Sequence, residues 1–446
     1  MNPETIYALA TARGRAGIAV VRLSGAESIN AARALSGRDL SVRRAQRVDL
    51  RDPATAELLD QGLAIYFPGP ASFTGEDVVE LHLHGGPAVV AGVLAALAAQ
   101  PGLRMAEPGE FTRRGFLNGK LDLTAAEGVA DLVAAETAAQ RRQALAQMGG
   151  ALAEFADGAR ARLVSAMARW EAAIDFSEEE LPAGLEAEVA AEAASLAADI
   201  RAALADAGRG ERLRDGIEVA IVGPPNAGKS SLLNRIARRD AAIVSATAGT
   251  TRDVIEVHAE LGGYPVILAD TAGLREAADE IEREGVRRAL ERAGRADLRL
   301  VVLDATAWPE IDGGTRAQID HEAVVALNKA DLLQGVPEEV SGISALPVSA
   351  KTGAGVDALL DSVEARVAAL FEGTEAPVVT RARHREALAA ALAALDRFGT
   401  AEARLARPEL AAEELRLAAR SLGRVTGAVD VEDLLDVIFA EFCIGK

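Results

Sequence analysis

Cysteine is nearly absent from this chain of 446 residues: Cys443 is the only one. No disulfide can form within the chain, which points to a reducing, cytoplasmic setting. Aromatic residues are scarce at 3%, so Ala, Leu and Val must fill the cores. An excess of basic residues is missing too. The net charge of −19 argues against broad non-specific binding to nucleic acid, which needs cationic surface against phosphates, but leaves room for a local basic groove. No apolar run is long enough to cross a bilayer; the longest, at 87–99, predicts a buried helix. The first residues lack a basic segment followed by an apolar core, so no signal peptide is expected.

What is present is ordinary globular composition, 50% hydrophobic and 26% charged, with length for two or three domains. Residues 1–118 mix predicted strands (5–10, 17–23, 62–67, 78–84) with predicted helices (25–36, 87–99), punctuated by Gly and Pro, as in a compact α+β domain. From 119 to 215 the spacing of apolar residues turns helical, with breaks at Gly149-Gly150 and Pro182. Leu163, Met167, Trp170 and Ile174 share one stripe and read as core. Residues 216–371 alternate strands and helices again, a linker starts at 372, and 380–442 is helical. The pattern predicts one long-helix domain (119–215 and 372–446) with a Ras-like, doubly wound α/β domain (216–371) inserted into it. Insertion is tolerated where the two ends lie close together.

Residues 223–230 read GPPNAGKS and fit G-x-x-x-x-G-K-[ST] between an apolar strand (216–222) and a helix (231–239). Such a turn aims backbone N–H groups and the helix dipole at phosphates, so Asn226, Ala227, Gly228, Lys229, Ser230 and Ser231 are candidate phosphate contacts. Lys229 can reach the β- and γ-phosphates and Ser230 can ligate Mg²⁺. In DTAG (270–273), Asp270 would hold Mg²⁺ through water, with Thr271 and Ala272 beside it and the Gly273 amide near the γ-phosphate. In NKAD (328–331), Asp331 can accept two hydrogen bonds from guanine; a buried Asp rejects adenine because its carboxylate is left unpaired. Asn328, Lys329 and Ala330 would support the loop, and the backbone of Ser349, Ala350 and Lys351 can contact guanine O6. Between the first two motifs, Ser245, Ala246, Thr247, Ala248, Gly249, Thr250 and Thr251 form a Gly/Thr-rich switch in which Thr251 can close over Mg²⁺. Four motifs in this order, each after a strand, specify a GTP site.

The residue after D-x-x-G is Leu274 rather than the Gln that commonly positions water. Either hydrolysis is very slow or another group orients the water and neutralises charge, and a monovalent cation beside the γ-phosphate can replace an arginine finger. Glu282 on a charged helix start (279–284) reads by itself as a solvated carboxylate. Cys443 reads as a tail residue rather than a nucleophile. His82, His84 and Glu80 share one strand face, which suits packing or pocket lining better than a metal site. The segment 111–122, with Phe111, Arg113, Arg114, Phe116 and Lys120, reads either as a basic loop balancing nearby acids or as a site for an anionic cofactor or RNA.

The set GPPNAGKS, AGTTRD, DTAGLRE and NKAD resembles the TrmE/Era group of translation-factor-class GTPases. The inserted G domain, the N-terminal α+β domain and the terminal CIGK (443–446) narrow the resemblance to the MnmE (TrmE) family of tRNA modification GTPases, over essentially the whole chain. The resemblance implies a homodimer joined through its N-terminal domain, whose G domains associate and separate with GTP hydrolysis. It implies an FAD-dependent MnmG-type partner, in a heterotetramer or larger. Together the two would add an aminomethyl or carboxymethylaminomethyl group to carbon 5 of the wobble uridine of certain tRNAs. A 5-formyl or methylene tetrahydrofolate would supply the carbon, bound by Arg22, Glu80, Lys120 and Lys446. K⁺ would be held by Asn226, Ser245, Thr247 and Thr250, Mg²⁺ by Ser230 and Thr251, and the attacking water by Glu282, with Lys229 and Asn226 assisting catalysis.

Two other readings compete. A ribosome-assembly GTPase of Era type would need an RNA-binding module such as a KH domain after the G domain, where only helices are predicted. A dynamin-like membrane GTPase would need a basic amphipathic helix or a lipidation motif, and neither is seen. If Asn226 helps to hold K⁺, GTP turnover in KCl exceeds that in NaCl severalfold; equal steady-state rates in the two salts count against that role.

Overall fold

The computed structural model describes residues 4–175, 184–239, 256–270, 294–371, 379–400, 407–429, 432–440, 442, 444 and 445. The chain packs as two units, one of Met1–Ala130, Gln147–Leu196 and Ala390–Lys446, the other of Asp131–Ala146 and Ala197–Ala389. The domain division with boundaries after 118, 215 and 371 stands as our proposal, drawn from sequence texture.

The first unit holds a six-stranded sheet. Its strands are β1 (Thr5–Leu9), β2 (Ile18–Ser24), β3 (Gln46–Arg51), β4 (Leu58–Phe67), β5 (Val78–His84) and β6 (Leu103–Met105), in the order β3-β4-β5-β2-β1-β6. All neighbours are antiparallel except β1 and β6. Side chains alternate between the faces of a strand. Ala19, Val21 and Leu23 on β2 and Val79, Leu81 and Leu83 on β5 therefore point into one core, against helices Ser28–Ser36 and Pro87–Ala98. Arg22, Glu80, His82 and His84 fall on the opposite face, with Arg22 directly opposite Glu80.

Two strands escape a reading by apolar runs. In β3 only Val48 and Leu50 are buried, between charged residues. The polar residues Asp60 and Gln61 hide the first half of β4, whose apolar pattern starts only at 62. The predicted helix 25–36 begins at Ser28. The segment 111–122, left open between a basic loop balancing nearby acids and an anion or RNA site, is helical over Glu110–Leu117, with Arg114 buried in the helix. Its guanidinium meets Glu76 and Glu110 at 3.0 Å each, because a buried charge persists only when paired. It is therefore not available to an anionic cofactor.

The long helices of this unit begin with Ala151–Asp175, after a break at Gly150, whose φ of +94° a side chain would strain. Trp170 and Leu163 are buried as expected. The Trp170 ring meets Phe398 edge-on at 5.1 Å, and its indole N–H donates to the Pro408 carbonyl at 3.0 Å. That carbonyl belongs to the first turn of helix Pro408–Thr426.

The second unit contains a seven-stranded sheet. Its strands are β7 (Ile217–Val222), β8 (Glu256–Leu261), β9 (Tyr264–Asp270), β10 (Leu298–Asp304), β11 (Ala323–Asn328), β12 (Glu339–Val340) and β13 (Ile343–Pro347), in the order β12-β13-β11-β10-β7-β9-β8. The five central strands are parallel, with antiparallel β8 and β12 at the edges. Parallel strands are covered on both faces, so β7 and β11 are apolar except at Glu218 and Asn328. Ile217, Val219 and Ile221 serve one core while Ala220 and Val222 serve the other. Among the described residues, no helix is long and apolar enough to cross a membrane.

The ends of the inserted segment meet at one carboxylate. Asp131 accepts from Arg214 Nε at 3.0 Å and from Arg381 Nη2 at 2.7 Å. Arg214 precedes β7, and Arg381 follows the sheet and its last helix. Gln140 and Gln143 add bonds to the carbonyls of Arg214 and Gly210, both at 3.1 Å. Burial here also pushes the Asp215 carboxyl up in pKa, against the pull of Arg214 and Arg381. Replacing Asp131 by Ala leaves two guanidiniums confronting each other at a largely buried point. The expected cost is about 2–3 kcal/mol, seen as a lower urea midpoint with an unchanged slope. An unchanged midpoint would show that the clamp adds nothing.

Candidate nucleotide site

The site lies at the carboxyl ends of the parallel strands, where open α/β sheets place their ligands. The chain leaves β7 at Val222, turns through 223–228 and enters helix Lys229–Ile236. Two glycines make the turn possible. A Cβ on Gly223 would lie 2.1 Å from the Val302 carbonyl oxygen, and one on Gly228 would lie 2.2 Å from Asn328 Nδ2; both have positive φ. Asn226, at φ +61°, takes a left-handed conformation that Asn tolerates better than most residues.

Lys229 is buried and folds back over the loop, donating to the carbonyls of Gly223 at 2.8 Å and Pro224 at 2.9 Å. Burial lowers its pKa and the Asp270 carboxylate works the other way. An ammonium so placed is held by neutral carbonyls, and a phosphate would be a better partner. Ser230 Oγ donates to Asp270 Oδ2 at 2.5 Å. Asp270 ends β9 opposite Ile221, so the parallel register brings the second motif beside the first. A hydroxyl and a 1%-exposed carboxylate in contact are hard oxygen donors of the kind Mg²⁺ takes.

At the base end, Asn328 is the last residue of β11. Its amide donates to the Ala227 carbonyl at 2.8 Å, and its oxygen accepts from the Ala350 amide at 3.0 Å. One buried side chain thus ties the phosphate loop to the Ser349–Lys351 loop. Of that loop's backbone, the Ala350 N–H is thereby engaged within the protein. The buried Ser349 accepts from the Thr352 amide at 3.1 Å, which closes the turn. Lys329, at φ +65°, pairs with Asp304 at 2.6 Å. Burial opposes the Asp304 charge, but hydrogen bonds from Lys329 and Thr306 outweigh it and hold the carboxyl below its ordinary pKa.

Sequence reasoning missed Asp304. Its only signal is its place at the end of an apolar strand, level with Asn328 in the parallel register. One expectation is corrected: Asp331 is exposed rather than buried, because it lies on the short 3₁₀ turn Ala330–Leu332 beyond the strand end. Lys351 is exposed as well. Ser245, Ala246, Thr247, Ala248, Gly249, Thr250, Thr251, Thr271, Ala272, Gly273, Leu274 and Glu282 lie outside the described residues.

The candidate cofactor residues of the first unit are partly gathered. Arg22 Nη2 lies 2.9 Å from Glu80 Oε1, with its guanidinium 5.7 and 5.8 Å from the rings of Phe73 and Phe111. Lys120 packs its stem toward Gly75, on the loop that carries Phe73. Ile444 bridges to Pro108, and Gly445 approaches the carbonyl of Leu9, next to the Ala8–Arg22 pair. Cys443 and Lys446 lie outside the described residues. His82 approaches Glu80 at 3.4 Å and His84 pairs with Asp60 at 2.8 Å, in keeping with a lining role. Among the described residues, no three His, Cys, Asp or Glu side chains cluster to hold a metal.

Comparison with known proteins adds a second line. Residues 123–443 match the family described as MnmE helical domain, and residues 5–120 match the family described as GTP-binding protein TrmE N-terminus. A protein of Paramagnetospirillum magneticum named tRNA modification GTPase MnmE is 60% identical over 99% of this chain and 100% of its own length. One of the same name from Parvibaculum lavamentivorans is also 60% identical, over 99% of this chain and all of its own length. Among solved structures, the G domain of the T. maritima FeoB iron transporter covers 35% of this chain and 99% of its own, at 22% identity and a TM-score of 0.26.

Removing the Asn328 side chain tests the bridge. Asn328→Ala leaves the Ala227 carbonyl and the Ala350 amide unpartnered, at about 1–3 kcal/mol each. GTP affinity is expected to fall at least tenfold in a fluorescent-nucleotide titration, since about 1.4 kcal/mol is a factor of ten. Affinity equal to the parent's would show that the bridge does not shape the site.

Proposed function

The chain belongs to the MnmE family of tRNA modification GTPases, and from that premise we propose that its GTP cycle drives chemistry on the wobble uridine of certain tRNAs. The enzyme is a GTP hydrolase. The observation that carries the reading is the continuity of the nucleotide site. Lys229, Ser230 and Asp270 gather at the phosphate end, and Asn328 joins that end to the loop at which guanine would be read.

In this reading Lys229 leaves the carbonyls of Gly223 and Pro224 for the β- and γ-phosphates, and its buried position makes the exchange favourable. Ser230 and Asp270 would hold Mg²⁺, directly and through water, with Thr251 as a further ligand. When bound, Mg²⁺ supplies neutralisation of charge developing on the phosphoryl oxygens. Asn226, with Ser245, Thr247 and Thr250, would hold K⁺. Asp331 accepts from the guanine N1–H and amine, and the base itself shields the carboxylate from water. Glu282 orients the attacking water, since Leu274 has no group that can.

The uridine chemistry requires a carbon donor and a redox partner. Arg22, Glu80, Lys120 and Lys446 bind a tetrahydrofolate derivative. The Arg22–Glu80 pair beside Phe73 and Phe111 supports this, because it sets a charged pair against aromatic rings as a flat, polar-edged cofactor requires. The chain acts in the cytoplasm as a homodimer, with an FAD-dependent MnmG-type protein. A ribosome-assembly role is disfavoured by the elements after β13, which among the described residues are all helices.

Mass analysis of wobble nucleosides from cells lacking the chain is the decisive test. Aminomethyl and carboxymethylaminomethyl groups on uridine carbon 5 are expected to disappear, and to return with the parent gene but not with Lys229→Ala. Unchanged nucleosides would overturn the reading.

A further inference from the structure

The chain is strongly acidic, yet one edge of its first sheet is not. Between residues 38 and 51 stand Arg38, Arg43, Arg44, Arg47 and Arg51, all exposed. Among the described residues none of the five forms an ion pair. Three of the guanidiniums rest on neutral groups instead: Arg38 on the Arg47 carbonyl at 3.2 Å, Arg51 on the Ala56 carbonyl at 3.2 Å, and Arg43 on the Ala71 carbonyl and over the Phe67 ring at 5.6 Å.

The acids nearby are engaged elsewhere. Asp39 pairs with Arg33, Asp49 accepts from Gln61 at 3.0 Å, and Asp52 accepts the amides of Ala54 and Thr55 in its own turn. Asp60, on the paired strand, is held by His84. Asp49 stands on the same face between Arg47 and Arg51 and, like Asp52, keeps its charge, so five arginines against Asp39, Asp49 and Asp52 leave residues 38–52 net positive by two in a chain whose net charge is −19.

The placement is as informative as the charge. β3 is an end strand of the sheet order, so one of its sides has no strand neighbour. Val48 and Leu50 face the core, which puts Arg47 and Arg51 on the outer face, with Arg44 in the turn before them. From Arg44 to Arg51 the row extends roughly 20 Å at about 3.3 Å per residue. Guanidiniums match phosphates by paired hydrogen bonds and stay charged at any working pH.

We propose that this arginine edge is where the phosphodiester backbone of tRNA docks on the chain. The inference rests on the proposed tRNA chemistry and says where that substrate's phosphates lie. It also reconciles an acidic protein with a nucleic-acid substrate: the strip attracts the backbone, while the overall negative charge opposes non-specific binding.

The test uses the full chain carrying Arg44→Gln, Arg47→Gln and Arg51→Gln together, titrated with an unmodified tRNA transcript across a series of KCl concentrations. Affinity at low salt should fall at least tenfold, and the log–log salt slope should flatten by about 2, as three lost phosphate contacts require. GTP turnover should stay at the parent's value. The corresponding triple Lys variant should keep most of the binding. Affinity and slope equal to the parent's overturn the proposal, as does absence of salt-sensitive binding by the parent. A triple Gln variant that changes from dimer to monomer in light scattering would overturn it in favour of a contact between copies. Failure of the functional reading registers separately, as unchanged wobble nucleosides in cells lacking the chain.

Discussion

A single buried amide organises the nucleotide site. Asn328 stands at the end of a strand that is buried along its whole length, so its position is set by the core and not by solvent-facing loops. From there it donates to the phosphate loop and accepts from the Ser349–Lys351 loop. Both groups would be costly to leave unpaired at this depth. The loops that would meet the two ends of a nucleotide are therefore coupled before any ligand arrives. Gly228 completes the constraint, because any side chain there would collide with the same amide.

Charged groups fall into two kinds, and both units hold each kind. Some ionic groups are buried in pairs: Arg114 lies between Glu76 and Glu110, and Asp131 takes both Arg214 and Arg381. Those groups are spent on architecture. Lys229 is buried with its hydrogen bonds given to carbonyl oxygens and the Asp270 carboxylate nearby, a weaker arrangement that leaves its charge open to a better acceptor. The arginines around β3 are exposed, and three of them rest on neutral groups. The distinction between a structural and a functional cation in this protein is thus one of partner.

The nucleotide machinery was legible because its chemistry is local. A phosphate loop, a D-x-x-G and an N-K-x-D each need fixed residue types at fixed spacing after a strand, and β7, β9 and β11 end where those motifs begin. The parallel strands were legible for a related reason, since burial on both faces leaves an unbroken apolar run. The charged strand β3 was not, because only Val48 and Leu50 mark it as half-buried. The helix Glu110–Leu117 was hidden by its arginines, which read as a loop until Glu76, thirty-eight residues earlier than Arg114, is seen to neutralise one of them.

By itself the amino-acid order determined the class of ligand, the order of the motifs, the helical texture on either side of the inserted segment and the family. The first three follow from periodicity and short-range spacing, which survive in one dimension; the family follows from the resemblance that the motif set carries. The tertiary structure decided which charges are used up and which remain. Asp304 against Lys329, Asp131 between Arg214 and Arg381, and the exposed face of Asp331 depend on residues brought together from distant parts of the chain. Pair energies depend on distance in space and on burial, neither of which is encoded in sequence separation.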